Sequence, residues 1–215
     1  MMGMKTPELA ELLNDVKARF ASDATGHDYA HTLRVYKSAL SLQATEGGDL
    51  EVITLASLLH DVDDYKFFKG DNYAQTWLNS HHIPQEVQQK VVKIIAEISF
   101  MGSDTKPAST LEGKIVQDAD RLDALGAIGI ARAFAYGGAK GRVMFDPAIP
   151  PVLGMNEKEY KAAEGTTINH FYEKLFLLQD LMNTEEGKRL AKARTDFMKR
   201  YLEEFYLEWE EKDLQ

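Results

Sequence analysis

Apolar residues return every three or four positions along most of this chain, and that spacing fixes the kind of fold open to it. Leu9, Leu12, Leu13, Val16 and Phe20 share one helical face near the start, as do Val87, Val91, Ile94, Ile95 and Ile98 after Pro84. Start and stop signals bracket such runs. Thr6-Pro7-Glu8 reads as a capped start with proline at the first helical position, Gly47-Gly48 ends a helix carrying Leu33, Val35, Tyr36, Leu40 and Leu42, and Asp49 caps the next. Further helices are expected over Asp71 to Asn79, Leu111 to Phe134, Ile168 to Met182 and Thr184 to Glu211. The last carries Phe197, Tyr201, Phe205 and Trp209 as a core-packing stripe, and Gly126 and Gly129 would let a neighbour come close. No period-two alternation suggests a sheet, and no linker separates two cores. The expectation is one all-α domain over residues 1–215, a helical bundle. The glycine- and proline-rich stretch Ala135 to Gly154 reads as a long loop, a candidate lid on which Lys140 and Arg142 could meet phosphates.

One of these helices runs straight into charge. In LASLLHDVDDYKFF, Leu55 to Phe68, an apolar face of Leu55, Ala56, Leu58 and Leu59 meets His60, Asp61, Asp63 and Asp64. Burying carboxylates is costly unless a cation or a metal ion partners them. Two other segments hold similar chemistry. In GHDYAHTLRV, Gly26 to Val35, His27 and His31 lie four apart and His31 and Arg34 three apart, so each pair shares a helical face. In VQDADRLDALGAIG, Val116 to Gly129, Asp120 and Asp123 stand one turn apart. With no cysteine in the chain, disulfides, thiolate sites and a cysteine nucleophile are excluded. A metal would sit on imidazole nitrogen and carboxylate oxygen, a donor set that suits Mn, Mg, Co, Ni, Fe or Zn.

These three blocks in this order, with HFYEKL at His170 to Leu175 and the later AKAR run, resemble the HD superfamily of metal-dependent phosphohydrolases. The likeness spans about Gly26 to Arg194 and points to a branch of small bacterial predicted hydrolases. Some of its members cleave nucleoside triphosphates to monophosphate and pyrophosphate. The resemblance implies an HD-type helical bundle holding one divalent ion, manganese first, on His31, His60, Asp61 and Asp120. His31 is preferred to His27 because it precedes the xxRV pattern, and Asp120 to Asp118 because it precedes RL.

Such an ion would acidify water toward neutrality and polarise phosphorus. Asp61 and Asp64 are the expected catalytic carboxylates, Asp64 lying one turn past His60 where it could receive the water's proton. Arg34, Lys66 and Arg121 are expected at phosphate oxygens, and His170 and Lys174, four apart on one face, at a terminal or leaving phosphate. Asp63 reads as solvated, Asp123 as orienting Arg121 or His31, and His27 and Asp28 as opening their helix. His81-His82 reads as an exposed pair in a turn, so the site is taken as mononuclear. The expected function is a metal-dependent phosphohydrolase acting on a small phosphorylated metabolite, a nucleotide first. A 5′-nucleotidase-type phosphomonoesterase and a catalytically silent metal- or nucleotide-binding regulatory module are the alternatives. A net charge of −9 speaks against a nucleic-acid polymer as partner. No apolar run is long enough for a membrane span, and the expected location is the cytoplasm. Oligomeric state stays open.

Overall fold

Short polar residues before several of the helices satisfy backbone N–H groups that a helix start leaves free. The side chains of Asp28, Asp49, Thr110 and Thr184 accept from His31 N, Glu51 N, Gly113 N and Gly187 N respectively. The computed structural model describes residues 6–21, 28–63 and 72–214, with the side chains of residues 6 and 7 left aside. Among the described residues the regular elements are all helical. They are α1 (Thr6–Arg19), α2 (Tyr29–Glu46), α3 (Leu50–Leu59), α4 (Tyr73–Ser80), α5 (Gln85–Glu97), α6 (Leu111–Asp123), α7 (Gly126–Ala139), α8 (Glu157–Ala162), α9 (Thr167–His170), α10 (Leu177–Asp180) and α11 (Glu185–Trp209). None of them is long and apolar enough to cross a membrane.

The centre of the bundle is α3. Val52 to Leu59 are all buried, which explains a run apolar on every side rather than on one stripe. Around it lie α2, α5 and α6, with α2 packed along both α3 and α6, and α11 crosses α7, α6 and α2. One apolar cluster joins Leu12 and Val16 of α1 to Leu42, Leu58, Ile94, Leu122, Phe171 and Leu202.

Three elements differ from the sequence expectation. The helix expected over Leu111 to Phe134 breaks after Asp123, because Leu125 is extended and Gly126 takes a φ of +72°. A Cβ at Gly126 would also lie 3.2 Å from the Arg194 side chain, so both conformation and space call for glycine. Next, α7 continues through Ala139, so the first residues of the expected loop are helical. The segment after it is strapped down: the carbonyls of Val143, Met144 and Ile149 accept from Thr167 N (2.9 Å), Ile168 N (3.0 Å) and Asn169 Nδ2 (2.9 Å). Finally, the helix expected over Ile168 to Met182 is interrupted by a π-helical turn, Phe171–Leu175, closed by Phe176 N donating to Phe171 O at 2.9 Å. Such wide turns recur at functional sites.

The aromatic stripe of α11 is a flank rather than the core face. Ala191, Thr195, Met198 and Leu202 are its buried positions. Tyr201 and Phe205 are half-buried against Phe134, Phe171 and Phe145, while Phe197 and Trp209 stay exposed.

Candidate metal centre

Three helices deliver ligand-type side chains to one point. His31 lies in the first turn of α2, where the Asp28 cap on its own N–H (2.8 Å) anchors the backbone. His60 closes the C-terminus of α3, Asp61 follows it, and Asp120 projects from α6. The Nε2 atoms of His31 and His60 stand 3.2 Å apart. One ligand atom from each of His31, His60 and Asp120 lies within 4.8 Å of the others, a group that could hold a metal ion. Asp61 Oδ2 is 3.3 Å and 3.4 Å from the two Nε2 atoms, and Asp120 Oδ1 is 3.5 Å and 3.9 Å from them.

The donor chemistry fits a cation. His60 Nδ1 lies 2.8 Å from the Ser57 carbonyl and His31 Nδ1 lies 2.7 Å from Asp123 Oδ2. Both of those partners only accept, so each Nδ1 carries the proton and each Nε2 is left with a bare lone pair. Two lone pairs and two carboxylates facing one another need a positive charge between them. Without an ion, the carboxylates favour a protonated His60. Burial works against charging His60, but Asp61 and Asp120 outweigh it and lift the imidazole to about 9. The histidine side chains are sealed at 0 % and 1 % exposure, whereas those of Asp61 and Asp120 reach 14 % and 34 %, so the open approach is on the carboxylate side.

Behind His31 sits Asp123. Its Oδ1 accepts from Arg34 Nε (2.6 Å), and its Oδ2 from Arg34 (3.0 Å) and Arg132 (3.0 Å) as well as from His31. Burial pushes this carboxyl up, but those hydrogen bonds and charges hold it well below the usual carboxylate range. Of its two expected partners Asp123 takes His31, not Arg121. Arg132 gave no sequence signal of its own, since it lies in the glycine- and alanine-rich start of α7, nine residues from its partner.

The remaining candidates are dispersed. Arg121, expected at a phosphate, is buried at 4 % exposure on the other side of α6, where its guanidinium donates to the Leu181 carbonyl and faces Asp118. Asp118 itself is fully buried and turned away from the histidines, as a spacing of two residues on a helix requires. Its carboxylate accepts from the backbone N–H and Nδ2 of Asn183 and from the N–H and hydroxyl of Thr184, tying α6 to the start of α11. Asp63, expected to be solvated, is half-buried and caps α4, accepting from Tyr73 N (2.7 Å) and Ala74 N (2.9 Å). His81 is not exposed either: it stacks on Trp77 at 3.8 Å, while His82 is exposed.

His170 precedes the π turn and Lys174 lies within it, with the Lys174 ammonium 5.2 Å from the Phe100 ring and Tyr160 over His170. Burial, then the charges of Lys174 and Arg142, push the His170 imidazole down to about 3, so it is neutral at physiological pH. Asp64, Lys66 and His27 lie outside the described residues.

An all-α bundle that brings a histidine, a His-Asp pair and a distal aspartate from three helices to one point has the arrangement of an HD domain, with a cluster that could hold a metal ion. The chain belongs to the HD-domain family, which matches residues 28–125. It is 35% identical over 208 residues to the protein YpgQ of Bacillus subtilis, covering 93% of each chain. The crystal structure of YpgQ in complex with ADP matches with a TM-score of 0.73 at 31% identity, over 92% of this chain and 95% of that one. An HD-superfamily hydrolase from Bacillus thuringiensis is 44% identical with a TM-score of 0.74, over 96% and 99% of the two chains. A solved structure from Lactobacillus plantarum reaches a TM-score of 0.86 at 39% identity, over 96% and 98%.

Proposed function

We propose that this protein is a metal-dependent phosphohydrolase that cleaves a nucleoside triphosphate to the monophosphate and pyrophosphate. The observation that carries the reading is the convergence of His31, His60 and Asp120 within 4.8 Å, with Asp61 beside both imidazoles. An HD-superfamily hydrolase among its relatives and the ADP held by YpgQ support it. In this reading His31, His60, Asp61 and Asp120 hold one divalent ion, with manganese the first candidate. A bound divalent ion supplies Lewis-acid chemistry, lowering the pKa of water and polarising a phosphoryl oxygen.

The protein's own groups do the rest. Asp120 and Asp61, on the open side, meet the incoming substrate, and Asp64 takes the proton from the attacking water. Arg34 has donors left over after Asp123 and contacts phosphate together with Lys66. The ammonium of Lys174 and the neutral imidazole of His170 bind the distal phosphates, where a neutral ring can still donate one hydrogen bond. Arg121, committed to Leu181 and Asp118, takes no part.

The test is a nucleotide panel with Mn, Co or Ni supplied, resolving pyrophosphate from orthophosphate, for wild type and Asp61→Ala. Pyrophosphate release lost in the variant is the expected result. Orthophosphate alone would move the reading to a phosphomonoesterase, and tight nucleotide binding without turnover to a regulatory module. Unchanged metal content and turnover in Asp61→Ala would remove the ligand assignment.

A further inference from the structure

We infer that Asp123 is the positioning residue of the metal centre: it holds the His31 ring with Nδ1 protonated and the Nε2 lone pair aimed at the ion. The inference rests on the metal reading above. A neutral imidazole carries one proton, and the partner of one nitrogen decides whether the other can ligate. Asp123 Oδ2 lies 2.7 Å from Nδ1. As a carboxylate it can only accept, so the proton stays on Nδ1.

Two arginines hold that carboxylate in place. Three guanidinium N–H groups, two from Arg34 and one from Arg132, reach the same carboxylate at 2.6 Å, 3.0 Å and 3.0 Å. Each favours the ionised form. His60 reaches the same tautomer by a simpler device, the Ser57 carbonyl at 2.8 Å. Asp123 also stands one turn after Asp120 on the rigid α6, so one helix presents both a ligand and the group that orients another ligand across α2. His31 is fully buried, and no water can stand in for the orienting group without a cavity to hold it.

Asp123→Asn keeps the shape and removes the charge. An amide that presents its NH2 to Nδ1 drives the ring to the wrong tautomer, and one that presents its oxygen sets an NH2 against Arg34. Chelator competition with Mn or Zn should show the ion bound 10–100-fold more weakly in the folded variant, in the range set by orienting carboxylates elsewhere. Arg132→Gln should give a smaller loss. A merely structural role would lower the unfolding temperature of the ion-free protein but leave the affinity of the folded protein unchanged.

A second readout needs no variant. In zinc-loaded wild type labelled with 15N-histidine, His31 should show a protonated, hydrogen-bonded Nδ1 and a metal-bound Nε2. Equal affinity in folded Asp123→Asn, or a wild-type His31 lacking the Nδ1 proton, overturns the inference alone. A wild-type protein that binds no divalent ion overturns the metal reading and this inference together.

Discussion

Replacing Asp118 with alanine should weaken the fold strongly, because this one side chain joins α6 to the turn before α11 through several bonds at once. Its carboxylate is fully buried and receives the Asn183 N–H at 2.9 Å, Asn183 Nδ2 at 2.8 Å, the Thr184 N–H at 2.8 Å and the Thr184 hydroxyl at 2.8 Å. The Thr184 hydroxyl in turn accepts from Gly187 N at 3.1 Å, so the α11 cap hangs on the same carboxylate. A Cβ at Gly187 would come within 2.6 Å of Asp118 Oδ2, which shows how closely the two helices meet there.

Hydrogen bonds to a charged group contribute about 1.5–3 kcal/mol each, but four on one carboxylate do not add in full. Removing the acceptor also takes one of its two nearby carboxylates from the buried Arg121, 3.9 Å away and already with Nε without a hydrogen bond. Breaking a buried charged network of this kind costs about 3–5 kcal/mol. At about 2–4 °C per kcal/mol for a chain of this size, Tm should fall by about 6–20 °C. Thermal unfolding followed by circular dichroism measures it, with Thr184→Ala as the control that removes one of the bonds and the cap, for about 1–2 kcal/mol. A fall under 3 °C for Asp118→Ala, or a larger fall for Thr184→Ala than for Asp118→Ala, would refute the reasoning.

Two further outcomes follow from the site and its edge. The ion-free protein holds a proton on His60, whose pKa is lifted from 6.5 to about 9; that proton stabilises the fold fully below pH 6.5, and the gain is lost as pH rises through 9. Because a ligating ion must displace the proton, apparent metal affinity should climb about tenfold per pH unit from 7 to 9 by titration calorimetry, and a flat profile would rule the proton out. Asp63→Ala should cost about 1 kcal/mol by removing the α4 cap, with the loss visible as faster hydrogen exchange at Tyr73 and Ala74; unchanged exchange would show the cap to be idle.

The sequence by itself determined that the fold is helical and which segments carry ligand-type residues. The three-to-four spacing of Val87, Val91, Ile94 and Ile98 and the caps at Asp49 and Thr184 are local rules, acting within one or two turns, and can be read without knowing what lies across the core. The grouping of His31, His60 and Asp120 was legible through the order of their blocks, and Asp123 through its spacing from Asp120. What the tertiary structure alone decided is every pairing made across the chain. Asp118 finds Asn183 and Thr184 some 65 residues on, Arg121 turns inward to Leu181, Asp63 reaches over to cap α4, and Arg132 closes on Asp123 across the break at Gly126. A charged side chain written in a sequence carries no record of which partner will desolvate it, and packing makes that choice.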